Sequence, residues 1–365
     1  MSESPLKLRP GIADAPIYVP GAHGGDDDAE PPVVLSANEN PLGPSPKAIE
    51  AYGQALALNR YPDGGAVALR NAIGARFGLD PARIVCGAGS DELITLLIRC
   101  YAGQGDEVLQ SQHGFLMYGI SARTVGATPV LAPETNLHTD VDNLLAQVTE
   151  RTKICFVANP NNPTGTYISG SELRRLREGL RDDILLAVDA AYSEYVDLPD
   201  YSDGRDLVDD YENVVMLRTF SKIFGLAALR LGWCYAPAAV VDALNRVRSP
   251  FNVSVPAQAA GLAALADREH IALTIDTNTE QLRRLTGALA QLGIASPPSV
   301  GNFVLAKFRD ADMAKRANAY LMAHGVIVRS VAAYGLSECL RMTVGTAAEN
   351  DRLLAALTDF LAQDS

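Results

Sequence analysis

Residues 153–158, KICFVA, and residues 184–189, ILLAVD, are two short apolar runs that decide how this chain folds. A turn-forming segment, NPNNPTG, follows the first run at 159–165, and the chain between the runs has the longer pattern of a helix. Short apolar strands that alternate with helices are typical of a parallel sheet whose two faces are both covered. The two runs therefore predict strands of an α/β sheet.

The same alternation extends from about residue 83 to residue 236. It predicts seven strands, at 83–87, 107–111, 127–131, 153–158, 184–189, 214–218 and 229–235. Beyond Pro256 the pattern becomes helical and then mixed, which favours a second, smaller domain.

Three parts of the chain follow from this pattern. Residues 1–45, rich in Pro and Gly and including the acidic stretch GGDDDAEPP at 24–32, are expected to form an N-terminal arm that contributes to the small domain. Residues 46–255 are expected to form a large α/β domain with a mostly parallel seven-stranded sheet covered by helices. Residues 256–365 are expected to form a small α+β domain.

The charge balance bears on which partners the protein has. Asp and Glu number 43 against 31 Lys and Arg, a formal charge of −12, which disfavours nucleic acid and anionic membranes. An anionic substrate would have to be met by a few inward-pointing arginines. The N-terminus lacks a signal-peptide pattern, no apolar run is long enough to span a membrane, and five scattered cysteines suggest no disulfide framework. These features favour a cytoplasmic protein.

Common catalytic motifs are missing from the sequence. There is no H-E-x-x-H or C-x-x-C metal pattern, no Walker loop, no G-x-G-x-x-G that opens a helix and no G-x-S-x-G elbow. We therefore expect no metal site.

Four polar segments each follow a predicted strand, so they should meet at the carboxyl edge of the sheet, where α/β proteins bind ligands. They are 87–92 (GAGSDE), 159–165 (NPNNPTG), 189–192 (DAAY) and 219–222 (TFSK), the last followed by Arg230. Each has an ordinary structural explanation when taken alone. Together they supply a lysine amine, a carboxylate, a phenol, an amide, hydroxyls and an arginine, the groups needed to hold an aldehyde cofactor through a covalent bond to lysine.

At this point the sequence resembles the fold-type I, aspartate-aminotransferase-like family of pyridoxal-phosphate enzymes over essentially its whole length. Within that family its motifs are most similar to those of the histidinol-phosphate aminotransferases. These motifs are SANENPLGPSP at 36–46, RYPD at 60–63, GAGSDE, NPNNPTG, the Ser-Lys pair and LRMTVGT at 340–346.

The resemblance implies a role for each residue around pyridoxal 5'-phosphate. Lys222 would bond to the cofactor and then act as the base, Asp189 would face the pyridine nitrogen, and Tyr192 would contact the ring's 3-oxygen. The other cofactor-binding residues that it implies are Asn162 at the 3-oxygen, Ser90, Asp91, Thr219, Ser221 and Arg230 at the phosphate, Phe115 stacked on the ring, and Tyr61 from a neighbouring subunit. The protein is therefore expected to be a homodimer with shared active sites.

The segment 112–118, QHGFLMY, departs from the family pattern, because many relatives have a tyrosine where this chain has Phe115. A phenylalanine can stack on the cofactor but offers no hydroxyl for a hydrogen bond. For substrate binding the resemblance points to Arg341, which would pair with the α-carboxylate of glutamate, and to Arg329, Tyr18 and Asn38.

The resemblance implies an aminotransferase that converts histidinol phosphate and 2-oxoglutarate into imidazole acetol phosphate and glutamate, as in histidine biosynthesis. Two alternatives keep the same cofactor: an aminotransferase for aromatic amino acids, and a lyase similar to threonine-phosphate decarboxylase. A third alternative is a ligand sensor that kept the fold without its chemistry. The segment before residue 83 is acidic and leaves no room for the DNA-binding domain that such sensors carry.

Overall fold

The computed structural model describes residues 8–20, 31–55 and 59–363 of the chain. Residues 24–30 of the acidic stretch in the predicted arm lie outside the described residues. In the described ranges no helix has the length and apolarity needed to cross a membrane.

The strands are β1 Val33–Val34, β2 Ile84–Gly87, β3 Glu107–Ser111, β4 Thr128–Ala132, β5 Thr152–Ala158, β6 Leu185–Asp189, β7 Val214–Thr219, β8 Gly232–Tyr235, β9 Phe303–Lys307, β10 Val326–Ile327, β11 Arg329–Ser330 and β12 Cys339–Thr343. The helices are α1 Pro46–Gln54, α2 Val67–Phe77, α3 Ser90–Tyr101, α4 Leu116–Thr124, α5 Val141–Ala146, α6 Gly170–Gly179, α7 Arg205–Asp210, α8 Ala238–Val247, α9 Val255–Ala266, α10 Arg268–Gln291, α11 Ala311–Ala323 and α12 Ala347–Gln363.

The central sheet has seven strands in the order β2-β8-β7-β6-β5-β3-β4. All neighbouring strands are parallel except β8, which runs antiparallel to both β2 and β7. The predicted mostly parallel α/β sheet is thus confirmed. The predicted strand at 229–235 was wrong at its start, because a 3-10 turn ends at Leu229 and Arg230 takes a left-handed backbone with φ 49°.

Helices cover both faces of this sheet. Successive side chains of each strand point to opposite faces, so the apolar side chains of one strand pack against helices on both sides. On β6, Leu186 and Val188 pack with one apolar cluster, whereas Leu185 and Ala187 pack with the other. The first cluster includes side chains of α2, α5, α6 and α9, and the second those of α3, α4 and α8. Burial on both faces explains why the strands read as continuous apolar runs.

A second, smaller core lies around the three-stranded antiparallel sheet β11-β12-β9. Val33 of β1 pairs in parallel with Val326 of β10, and Val33 and Leu35 are buried in this core. The division of the chain at residues 45 and 255 stays a prediction. Helix α9, which begins at the second boundary, packs with the core of the large sheet rather than with the smaller one.

Candidate active site

One cavity of about 250 Å³ opens at the carboxyl edge of the large sheet and reaches the start of β11. Every site residue predicted from the sequence lines it, except Tyr61. Sequence reasoning missed other lining residues, among them Ser36, Ala37 and Glu39, which come from the extended segment after β1. The predicted set that meets in this cavity consists of Tyr18, Asn38, Ser90, Asp91, Phe115, Asn162, Asp189, Tyr192, Thr219, Ser221, Lys222, Arg230, Arg329 and Arg341.

Strand order brings these groups together. Asp189 is the last residue of β6 and Lys222 follows β7, and the two strands are paired neighbours in the sheet. Asn162 follows β5 on the other side of β6. Parallel strands end at the same edge, so residues distant in sequence share one site there.

Lys222 carries the amine of the site. Its Nζ donates to the Ala37 carbonyl at 2.9 Å and lies 5.8 Å from the centre of the Tyr192 ring. Burial, together with the positive charge of Arg341, lowers the pKa of Lys222 to about 8. A substantial share of the amine is therefore neutral near physiological pH.

Asp189 carries the carboxylate of the site. It is almost fully buried, and burial raises its pKa to about 6. Its Oδ2 accepts from the Tyr118 hydroxyl at 2.7 Å, and its Oδ1 accepts from the Ala191 amide at 3.2 Å. Tyr118 was not among the predicted site residues.

Helix α3 begins at the cavity with its backbone amides uncapped by any side chain. Gly89 precedes it with φ 85°, a conformation that favours glycine. Arg230 lies beside this turn and donates to Asp91 Oδ2 at 2.9 Å and to Ser221 Oγ at 3.3 Å. A helix start next to an arginine and two hydroxyl side chains, Ser90 and Ser221, has the donors to bind a phosphate.

A network of buried polar groups lies on the side of the cavity nearest the small core. Asn38 Nδ2 donates to the Tyr192 hydroxyl at 2.9 Å, and the Asn38 amide donates to Thr343 Oγ1 at 2.9 Å. Arg341 donates to the Ser36 carbonyl at 2.7 Å and to Asn162 Oδ1. No carboxylate of the described chain pairs with the buried Arg341, so its charge is available to an anionic ligand.

Arg329 and Tyr18 meet at the mouth of the cavity. The Arg329 guanidinium donates to the Val19 carbonyl at 2.7 Å and lies 5.8 Å from the centre of the Tyr18 ring. This contact places residues 18–20 of the N-terminal segment against the cavity. Phe115 lies at the start of α4, with its ring edge-to-face with Tyr118 at 5.7 Å.

Tyr61 does not join the other predicted residues. Its side chain is 82% exposed and stacks on Phe251, with the ring centres 4.6 Å apart. Its predicted contact belongs to a second subunit and stays a prediction.

This fold, with lysine and aspartate at the ends of neighbouring strands, is that of the aspartate-aminotransferase-like enzymes. The family model for aminotransferase class I and II matches residues 30–357. The chain therefore belongs to the aminotransferase class I and II family.

Individual relatives agree with this assignment. The chain is 56% identical to the histidinol-phosphate aminotransferase of Paramagnetospirillum magneticum, over 97% of this chain and 98% of the relative. It is 54% identical to that of Rhodospirillum centenum, over 96% of this chain and 98% of the relative. A crystal structure of the Sinorhizobium meliloti histidinol-phosphate aminotransferase in complex with pyridoxal 5'-phosphate superposes with a TM-score of 0.87, at 29% identity and 91% coverage of both chains.

Proposed function

We propose that this protein is a pyridoxal-phosphate-dependent aminotransferase that transfers the amino group of histidinol phosphate to 2-oxoglutarate. The observation that carries the proposal is that one cavity holds both a lysine of lowered pKa and a buried aspartate, beside an uncapped helix start. The choice of substrate is supported by the relatives that align over nearly the whole chain, which are named histidinol-phosphate aminotransferases.

The residues present fit this cofactor. Gly89 and Gly232 support the fit, because a Cβ on Gly89 would lie 2.6 Å from Arg230 Nη2 and one on Gly232 would lie 2.4 Å from the Ser90 amide nitrogen. Glycine at position 232 lets the strand β8 lie against the backbone of the helix start, and glycine at position 89 leaves room for the Arg230 guanidinium. Ser90, Asp91, Thr219, Ser221 and Arg230 would hold the phosphate, and Phe115, Asn162, Asp189 and Tyr192 would hold the ring.

When bound, pyridoxal phosphate supplies an aldehyde that takes up an amino group and a ring that accepts electrons from the adjoining carbon. The Lys222 amine would hold the cofactor through its aldehyde carbon and, once free again, would move the proton at the substrate carbon. Asp189 would face the pyridine nitrogen and keep it protonated, and Tyr192, whose hydroxyl accepts from Asn38 Nδ2, would donate to the ring oxygen.

Arginines bind the two substrates at the other end of the cavity. Arg341 would bind the α-carboxylate of glutamate, and Arg329 with Tyr18 would bind the phosphate of histidinol phosphate, because all three side chains line the cavity and guanidinium groups pair well with both anions. The net charge of −12 offers no general attraction to anions. Anions are thus bound by a few local contacts. Asn38 lines the same cavity and would lie beside the substrate, with its side chain held by the Tyr192 hydroxyl.

The function is tested by following glutamate formation from 2-oxoglutarate with histidinol phosphate, phenylalanine or threonine phosphate as the donor. We expect the highest kcat/KM with histidinol phosphate. The Lys222→Ala protein should bind pyridoxal phosphate without turnover, whereas Lys307→Ala, which removes an exposed lysine outside the cavity, should leave the rate unchanged. Preference for phenylalanine, or release of CO₂ from threonine phosphate, would favour one of the two alternatives instead.

We further propose that the protein is a homodimer in the cytoplasm and that Tyr61 reaches the phosphate in the partner's cavity. The proposal is supported by the exposed aromatic pair Tyr61–Phe251 and by the exposed apolar side chains of Ile49, Tyr52 and Val67. A contiguous exposed apolar patch is typical of a surface that is covered by another chain, and the stacked rings of Tyr61 and Phe251 are two such side chains in contact.

A further inference from the structure

Tyr118 is a fully buried tyrosine that does not line the cavity but contacts Asp189, which does. It lies on α4, and its hydroxyl donates to Asp189 Oδ2 at 2.7 Å. The other carboxylate oxygen accepts from the Ala191 amide at 3.2 Å. Each oxygen of Asp189 thus has a donor, and the orientation of the carboxylate is fixed.

Packing fixes the tyrosine in turn. Its ring stacks on Phe156 of β5, with the ring centres 4.4 Å apart and the planes at 8°. Its other aromatic neighbour, Phe115, meets it edge-to-face at 5.7 Å. The hydroxyl therefore has no freedom to leave Asp189 without disturbing the core of the sheet.

The electrostatics of Asp189 give this hydrogen bond its importance. Burial raises the pKa of Asp189 to about 6, and the charge of Asp91 from α3 acts in the same direction. The hydrogen bonds from the Tyr118 hydroxyl and the Ala191 amide, and the positive charge of Lys222, oppose this rise. Burial also raises the pKa of Tyr118 well above its ordinary value, so that this residue stays a neutral donor.

We propose that Tyr118 is a positioning residue whose hydroxyl keeps Asp189 ionised and correctly oriented for the pyridine nitrogen of the cofactor. This rests on the proposed function, because the ionisation of Asp189 affects ligand binding only if the ligand places a basic nitrogen against that carboxylate. Tyr118 acts through Asp189 and does not itself touch the ligand.

The test measures the affinity of the cofactor-free protein for pyridoxal phosphate as a function of pH, in wild type and in Tyr118→Phe. The matched control is Tyr235→Phe, because Tyr235 is also buried and donates to an aspartate, Asp209, at 2.6 Å, outside the cavity. A hydrogen bond to the ionised form lowers a carboxyl pKa, so its loss lets Asp189 take up a proton at higher pH. We expect the pH at which affinity falls to rise by about one to two units in Tyr118→Phe alone.

Tyr118→Phe keeps the ring stack, and thermal unfolding of all the proteins shows whether the fold is retained. In an Asp189→Asn background the same substitution should no longer shift the pH dependence, which separates an effect through Asp189 from a general loosening. Equal pH dependence in wild type and Tyr118→Phe, or an equal shift in the Asn background, would overturn the role of Tyr118 alone. A wild-type protein that binds no pyridoxal phosphate would contradict the proposed function and, with it, this inference.

Discussion

At Lys222 the protein lowers the proton affinity of one amine by burying it near a second cation. With a pKa of about 8 instead of the ordinary 10.5, about a quarter of the side chains are neutral at pH 7.5, against about one in a thousand for an exposed lysine. Only the neutral amine can attack an aldehyde. The environment of Lys222 thus prepares the covalent bond before any ligand arrives.

This environment predicts how the capture of an aldehyde depends on pH. The rate at which the cofactor-free protein captures pyridoxal, followed by stopped-flow absorbance, should rise with pH and level off above about pH 8, because the neutral fraction grows until the folded-state pKa is passed. Pyridoxal is used because it lacks the phosphate, whose own titration would interfere. A rate that keeps rising to the ordinary lysine pKa of 10.5 would show that Lys222 is not held in this way.

The meeting of Lys222 and Asp189 was predictable from sequence, because Asp189 ends one apolar run, Lys222 follows closely after another, and the ends of parallel strands meet at one edge. Tyr118 was not, because it lies inside a helix, and its contact with Asp189 spans 71 positions along the chain. No local pattern signals such a contact. The polar segment 36–39 was missed in part for a similar reason, since its place depends on pairing between β1 and β10.

The strand β8 packs closely against the start of helix α3 and so shapes the proposed phosphate site. A Cβ on Gly232 would lie 2.4 Å from the Ser90 nitrogen and 2.6 Å from the Gly89 carbonyl carbon, both backbone atoms that cannot swing aside. The helix start is therefore held where it is by a strand that has no side chain at this point.

We expect Gly232→Ala to lower the free energy of unfolding by about 1–3 kcal/mol and to weaken pyridoxal-phosphate binding, since the helix amides must shift. The matched control is Gly287→Ala in α10, where nothing lies within 4 Å of the added methyl group. That change should raise stability by about 0.5–1 kcal/mol through helix propensity. Chemical denaturation and cofactor titration measure both effects. Unchanged cofactor affinity in Gly232→Ala would contradict the proposal that the phosphate binds at the start of α3.

Element boundaries were predicted well where the apolar pattern is strong. Strands β3 and β6 lie within one residue of their predicted ranges, because both faces are buried. The last strand of the large sheet begins later than predicted, because Leu229 is apolar but belongs to a 3-10 turn before the left-handed Arg230. The short strands β10 and β11 are separated by only one residue and yet join different sheets.

The proposed dimer predicts that Tyr61, which does not line the cavity of its own chain, affects the binding of pyridoxal phosphate in the cavity of the partner subunit. Tyr61→Phe should weaken pyridoxal-phosphate binding, because the lost hydroxyl would serve the partner's site, whereas Tyr52→Phe, also on an exposed side chain, should not. Equilibrium titration measures the affinity. Sedimentation should give twice the 38.8 kDa of one chain. A monomer, or equal affinity in both variants, would contradict shared active sites.

The most direct measurement of the proposed activity is a single half-reaction. The pyridoxal form of the protein is mixed in turn with histidinol phosphate, phenylalanine and threonine phosphate, and the loss of the visible band of the bound cofactor is followed, in wild type and in Arg329→Ala. Fastest loss with histidinol phosphate is expected. Arg329→Ala should slow that reaction about 10- to 150-fold at low substrate, the worth of a charge-assisted hydrogen bond, and leave phenylalanine almost unaffected. A reaction that prefers phenylalanine, or an equal loss with both donors in Arg329→Ala, would contradict the assignment of histidinol phosphate as the substrate.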